Sequence, residues 1–270
     1  MTRHPLPYAV NLSILFTELP LLERPAAAAA AGFGAVEFWW PFPTATPADD
    51  EVDAFVTAIE RAGVQLIGLN LFAGDMPAGD RGLVSWPGRE EEFAEGVAAA
   101  ARIGGRLGCP AFNALYGNRI EGGNVDAQDE VAIRNLGVAA RALGEIGGTV
   151  LIEPVSGIPA YPLRTAHDAV EVIDRVREAQ GATNLGLLAD LYHLSVNGDD
   201  LDKVIDGYGD RIAHVQIADA PGRHEPGTGD LDIFRYLGRI AGTGYRGHVA
   251  AEYIPSGASA DSFGWLHAHL

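Results

Sequence analysis

Four short apolar runs in the second half of the chain constrain its fold most tightly. They are Thr149-Val150-Leu151-Ile152-Glu153, Leu185-Gly186-Leu187-Leu188-Ala189-Asp190, Ile212-Ala213-His214-Val215-Gln216 and His248-Val249-Ala250-Ala251-Glu252. Near-continuous apolar runs of this length, bounded by turn signals, are the pattern of strands buried on both faces in a parallel sheet. Each run ends on Glu, Asp, Gln or Glu. Read as strands, they set four oxygen-bearing side chains at the same end of four successive strands. In a closed parallel barrel, reacting residues gather at that carboxyl end.

The first half continues the alternation. Strands are expected at 8–12, 35–38, 64–71 and 111–115, with helices between them. The first helix covers 21–31 and is closed by Gly32. The second opens at Thr46-Pro47 with Thr46 as N-cap and ends at Gly63, and the third and fourth cover 89–107 and 126–146. In the second half, Thr165-Ala166-His167-Asp168 opens a helix with a capping-box pattern, further helices cover 200–208 and 233–241, and 259–270 forms a short final helix or tail. Eight strand–helix units without a linker predict an α/β fold, a (β/α)8 TIM barrel in a single domain over 1–270, and 270 residues is the usual size of one such barrel. Gly32-Phe33-Gly34 follows a helix and precedes a strand, which is the reverse of a dinucleotide-binding turn.

Composition removes several classes of function. A formal net charge of -17 repels phosphate backbones and disfavours nucleic acid as a partner. The single cysteine, Cys109, excludes an intramolecular disulfide and a cysteine-built metal site. The only lysine, Lys203, falls in an expected surface helix, which disfavours Schiff-base chemistry. No run of about 18 apolar residues is present, so no membrane span is expected. The opening Met1-Thr2-Arg3-His4-Pro5 lacks the pattern of a signal peptide, and a cytoplasmic address is the default expectation. The sequence does not set the oligomeric state, and a homo-oligomer stays open.

Glu153, Asp190, Gln216 and Glu252 offer three carboxylates and an amide oxygen, hard ligands that suit Mg or Mn better than zinc or copper. Three buried carboxylates without a cation would repel one another. The plainer alternative is that each caps a strand or a neighbouring helix. His193, three residues after Asp190, is placed to reach the same cavity and to hydrogen-bond a substrate oxygen. Arg223, in the loop after the seventh strand, is the cation best suited to fork onto a substrate carboxylate; its plainer reading is a pair with Glu225 or Asp219. Glu37 ends the second strand and is expected at the same mouth as a substrate contact, with Trp39 and Trp40 as an apolar wall. Arg89 is a weaker candidate, and His214 and His224 read as structural, His214 sharing the face of Gln216. The long loop 72–88 has the length of an active-site lid.

These residues carry a resemblance. Asn11-Leu12-Ser13 with Phe16-Thr17-Glu18, Val36-Glu37-Phe38, Pro87-Gly88-Arg89-Glu90, Leu151-Ile152-Glu153-Pro154, Asp190 with His193, His214-Val215-Gln216-Ile217-Ala218 through Arg223-His224-Glu225-Pro226, Glu252-Tyr253 and Gly264-Trp265 together resemble the hydroxypyruvate isomerase family of xylose-isomerase-like barrels. The likeness spans nearly the whole chain, departing in the run Ala189-Asp190-Leu191-Tyr192 around the acid. It implies a divalent metal on Glu153, Asp190, Gln216 and Glu252, with Glu153 and Glu252 as the acid–base pair. It also implies a small anionic hydroxy or oxo acid as substrate, contacted by His193 and Arg223. The expected reaction interconverts hydroxypyruvate and tartronate semialdehyde. A 2-oxo-tetronate isomerase, a ketose 3-epimerase and a non-catalytic sugar-acid-binding barrel are the alternatives. The abasic-site endonucleases of the same fold are disfavoured by the acid surplus and the shortage of histidines.

Overall fold

Eight parallel strands close on themselves in the order β1 to β8, β8 pairing back onto β1, in a computed structural model that describes residues 5–269. The stretch Met1 to His4, part of the segment expected not to be a signal peptide, and Leu270 lie outside the described residues. The strands are β1 (Tyr8–Asn11), β2 (Ala35–Phe38), β3 (Gln65–Asn70), β4 (Ala111–Asn113), β5 (Thr149–Ile152), β6 (Leu185–Asp190), β7 (Ile212–Ile217) and β8 (Val249–Ala251). The alternation of apolar run and amphipathic segment therefore gives the expected barrel, one unit covering the described chain.

Side chains alternate faces along a strand, and this sorts the core into two layers. Val10, Val36, Phe38, Leu66, Phe112, Val150, Ile152, Leu187 and Val215 join the large core that packs against the outer helices. The alternate positions, Ala9, Ala35, Ile67 and Ala250 in one cluster and Ala111, Leu151 and Leu188 in another, share the inner face. Two residues further along that face stand Asn11, Glu37, Asn113, Glu153, Asp190 and Glu252. Small apolar residues thus form a floor, and the polar residues form the layer above it at the mouth. The pairing fixes this layer: Asn11 is in register with Glu37, and Asp190 with Gln216.

The helices are α1 (Arg24–Ala30), α2 (Asp49–Ala62), α3 (Glu90–Leu107), α4 (Val125–Gly144), α5 (Ala166–Gln180), α6 (Leu191–Val196), α7 (Leu201–Tyr208), α8 (Ile233–Gly242) and α9 (Gly264–His269). Thr165 caps α5 as expected, its hydroxyl accepting from the Asp168 N–H while Asp168 accepts from the Thr165 N–H. Thr46 does not cap α2. The helix starts later because Asp49, Asp50 and Glu51 fill its first turn, where the helix dipole favours negative charge, and Glu51 accepts from the Ala48 N–H at 2.9 Å. Strand ends also shift: Glu153 and Glu252 lie one residue beyond β5 and β8, and Gln216 is followed in β7 by Ile217. The helix α6, directly after β6, was not expected. The second half of the loop between β3 and α3 is pinned, with the carbonyls of Val84 and Ser85 accepting from Asn135 and Gln128 on α4. No helix among the described residues is long and apolar enough to cross a membrane.

Candidate active site

The closed barrel brings Glu153, Asp190, Gln216 and Glu252 to one mouth, all four buried. Asp190 does two things. Its Oδ1 caps α6, accepting from the N–H groups of Tyr192 at 2.8 Å and His193 at 3.3 Å. Its Oδ2 is buried without a hydrogen-bond partner. The capping alternative and the site therefore coexist in one side chain.

Because α6 starts at once, His193 sits on its first turn with Nε2 3.6 Å from Asp190 Oδ2. The Ser156 N–H donates to His193 Nδ1 at 3.1 Å, with the Ser156 hydroxyl 2.7 Å from the same nitrogen. A backbone N–H can only donate, so Nδ1 holds a lone pair and the ring proton lies on Nε2. Burial lowers the His193 pKa and keeps the ring neutral. One atom each of Glu153, Asp190 and His193 falls within 4.8 Å of the others. In this tautomer, however, Nε2 is a donor facing the site and not a metal ligand.

The two glutamates differ. Glu153 Oε2 accepts from Asn113 Nδ2 at 2.7 Å, while its other oxygen has no hydrogen bond among the described residues. Burial, reinforced by the charge of Asp190, pushes its carboxyl up to about 8. Glu252 has donors on both oxygens. Oε2 accepts from Asn11 Nδ2 at 2.8 Å and Gln216 Nε2 at 2.6 Å, with Trp39 Nε1 at 3.4 Å, and Oε1 accepts from Arg223 Nη2 at 2.5 Å. Burial drives its carboxyl upward too, and the guanidinium opposes that shift.

Arg223 pairs with Glu252, and also lies 3.8 Å from Asp190 Oδ2, instead of pairing with Glu225 or Asp219. Asp219 organises the loop that presents it, accepting from the N–H groups of Ala220, Gly227 and Leu231. Arg223 adopts φ 58, a left-handed conformation that costs a non-glycine residue on the order of 1–3 kcal/mol and persists where the surroundings impose it. Its guanidinium lies over the Tyr192 ring, and its Nε–H is buried without a partner.

Glu37 reaches the same cluster, but protein groups occupy both of its oxygens. Oε1 accepts from Asn11 at 2.9 Å and Gln216 at 2.6 Å, and Oε2 lies 2.6 Å from His214 Nε2. A side chain on Gly68 would stand 3.0 Å from Glu37 Oε2, so the missing Cβ in β3 makes room for this carboxylate. Arg89 is engaged by Asp80 and Glu92, each at 2.7 Å, and His224 meets the Ile254 carbonyl. Trp39, Trp40, Phe42, Phe72 and Met76 line a cleft of about 590 Å³ that also reaches Arg89, and none of the four predicted ligands lines it. Asn11, Asn113 and Ser156 were not picked out from the sequence as site residues. An Asn at a strand end reads as a turn signal, and only the pairing β1–β2 and β4–β5 reveals what these two touch.

The residues fit a divalent metal. Asp190 Oδ2 and Gln216 Oε1 are both buried acceptors with no partner, Glu153 offers an oxygen within 4.8 Å of an Asp190 ligand atom, and hard oxygens of this kind suit a hard divalent cation.

Comparison with known proteins agrees with the fold. The model of the xylose isomerase-like TIM barrel family matches residues 25–269. The chain belongs to that family. Within it, the chain is 55% identical to a Streptomyces coelicolor protein that bears the provisional name hydroxypyruvate isomerase, over 97% of this chain and 95% of that one. It is 35% identical to the hydroxypyruvate isomerase of Escherichia coli (96% and 97% covered), and 34% identical to a 2-oxo-tetronate isomerase of Cupriavidus necator (97% and 98% covered). Among solved structures, a protein described as AP endonuclease, family 2 from Brucella melitensis superposes with TM-score 0.89 at 34% identity, covering 98% of this chain and 99% of that one. An E. coli 3-keto-D-glucoside 4-epimerase, at 18% identity and TM-score 0.77 over 97% of this chain and 99% of its own, shares the fold.

Proposed function

We propose that the chain interconverts hydroxypyruvate and tartronate semialdehyde (2-hydroxy-3-oxopropanoate), with Glu153, Asp190, Gln216 and Glu252 holding Mg or Mn. The observation that carries an acid as substrate is the buried, unpartnered Nε–H of Arg223. A permanently charged guanidinium with a free donor inside the site suits an incoming carboxylate. The relatives named hydroxypyruvate isomerase support the three-carbon acid.

The bound cation would polarise the carbonyl and stabilise negative charge on its oxygen. The chain's own residues do the rest. Arg223 holds the carboxylate and so decides which carbon faces the base. Glu153, ionised and with one oxygen open, takes a proton from the hydroxymethyl carbon, and the electron pair left behind forms the enediolate. A proton returns to the neighbouring carbon, and the hydroxyl proton of the first carbon passes to the oxygen of the second. Glu252, on the other flank of the mouth, is the partner for that exchange. His193 donates through Nε2 to a substrate oxygen, in the tautomer that Ser156 imposes.

A four-carbon 2-oxo acid is the second reading. A relative named 2-oxo-tetronate isomerase aligns over 97% of this chain and 98% of its own, which supports the longer acid. The test is turnover of chelator-stripped protein, with and without added Mg or Mn, on hydroxypyruvate, a four-carbon 2-oxo acid and a neutral ketose. Fastest metal-dependent conversion of hydroxypyruvate is expected. Preference for the longer acid moves the substrate and keeps the site, whereas preference for the ketose removes the role given to Arg223.

A further inference from the structure

Two of the proposed ligands, Gln216 and Glu252, belong to a closed ring of hydrogen bonds with Asn11 and Glu37. Gln216 Nε2 donates to Glu37 Oε1 and Glu252 Oε2, each at 2.6 Å. Asn11 Nδ2 donates to the same two oxygens, at 2.9 and 2.8 Å. A carboxamide nitrogen has two protons, and here both amides spend both of theirs on this pair of carboxylates. Asn11 cannot turn over without losing a further bond, because its Oδ1 accepts from the Ser13 N–H at 2.9 Å. Glu37 is held from its far side by His214 at 2.6 Å. The four ring residues and His214 are all buried.

This ring fixes one end of Gln216. Were its amide reversed, Oε1 would face two carboxylate oxygens at nitrogen distance, with no proton between them. The amide oxygen is therefore confined to the other side, where it is buried and unpartnered. For a hard divalent cation only that oxygen is a useful ligand; an amide nitrogen has no lone pair to give. Glu252 alone is a poor guide for the amide, since its own lone pairs are drawn to the cation. Both oxygens of Glu37 are held by Asn11, Gln216 and His214, so its grip on the amide does not call on the cation.

We propose that Glu37, held in place by Asn11 and His214, is a positioning residue that makes Gln216 present its oxygen to the metal. This rests on the reading of a divalent metal at the site. Hydrogen-bonded partners behind metal ligands typically govern about 10–100-fold in affinity.

The experiment measures Mn(II) affinity, by the electron paramagnetic resonance signal of free Mn(II), for a double-mutant cycle of Glu37→Gln and Gln216→Glu, with Glu37→Asp alongside. With Gln216 present, Glu37→Gln should weaken Mn(II) binding about 10–100-fold, because its own amide competes for the same orientation. With Glu at 216, both terminal atoms are oxygens and no orientation needs selecting, so Glu37→Gln should leave affinity unchanged or raise it. Glu37→Asp keeps the charge and withdraws the acceptor by one methylene; it should weaken binding in the Gln216 protein. It also serves as the deciding variant should Glu37→Gln fail to fold. Parallel losses in both backgrounds, or normal affinity in Glu37→Asp, would show that Glu37 acts only through its charge and would overturn the proposal. Failure of the unmodified protein to bind Mn(II) would instead overturn the metal reading, and this inference with it.

Discussion

Arg223 and Glu153 are the residues whose chemistry depends most on surroundings that no single position announces. Arg223 reads as a loop arginine, and only its placement over Tyr192, beside Glu252 and with a spare Nε–H, supports the carboxylate-holding role proposed for it. Arg223→Lys keeps the charge and loses the fork. It should lower kcat/KM for the acid about 10–100-fold, the scale of one or two charged hydrogen bonds, and lower that for a neutral ketose by less, since only the pairing with Glu252 is disturbed there. Steady-state kinetics on both substrates reads this directly. Glu153 gives a pH prediction. Its folded carboxyl stands at about 8 against an ordinary value of 4.5, so the folded chain binds more protons than the unfolded chain between these values. Its contribution to the stability of the metal-free protein is therefore full below about 4.5 and lost as pH rises through 8. Calorimetry in the presence of a chelator should show the melting temperature falling across the upper part of this window. Mn(II) affinity should rise across the same window, since the proton must leave before the carboxylate can ligate. A metal-free melting temperature that climbs steadily to pH 8 would contradict the assignment.

At the scale of elements, the junction of β6 and α6 brings Asp190 and His193 together at the mouth, and it was also the least legible part. The strand itself was plain: Leu185 to Asp190 is a continuous apolar run ending in an acid. The helix was not, because Leu191–Val196 is under two turns and too short to show a 3.6-residue period. The same limit applies to the contacts of Glu37 with Asn11, His214 and Gln216, which join residues up to 179 positions apart and leave no local pattern. Where the signal is local, as in the apolar runs, the Thr165 cap and the left-handed Gly63 after α2, sequence and structure agree to within a residue or two. Asp190 separates capping from ligation. Asp190→Asn retains an oxygen for the Tyr192 N–H, so the metal-free melting temperature should be little changed while Mn(II) affinity drops. Asp190→Ala should lose affinity and, in addition, about 1 kcal/mol of stability from the missing cap. Equal destabilisation by both would mean that the cap is not what the carboxylate supplies to the fold.

For the whole molecule, the barrel gathers Glu37, Glu153, Asp190 and Glu252 in a buried cluster that has Arg223 as its paired guanidinium. A cation that binds only the folded chain should therefore stabilise all of it. At a hundredfold excess over its dissociation constant the gain is about 2.7 kcal/mol, visible as a melting temperature several degrees higher with Mn(II) than with chelator. The net charge of -17 acts on the molecule as a whole as well. Despite the structural likeness to a protein described as an AP endonuclease, a duplex bearing an abasic site should be neither bound nor cut at moderate salt. Metal-dependent incision of such a duplex would refute the reading of the site as one built for small acids.

The central claim is that the two buried glutamates exchange a substrate proton beside a divalent metal. Its most direct test is turnover of hydroxypyruvate by the Glu153→Gln and Glu252→Gln proteins beside the unmodified one, all at saturating Mn(II). The account predicts metal-dependent formation of tartronate semialdehyde by the unmodified protein and a loss of about 10²-fold or more in each variant. Near-normal turnover in both variants would contradict it.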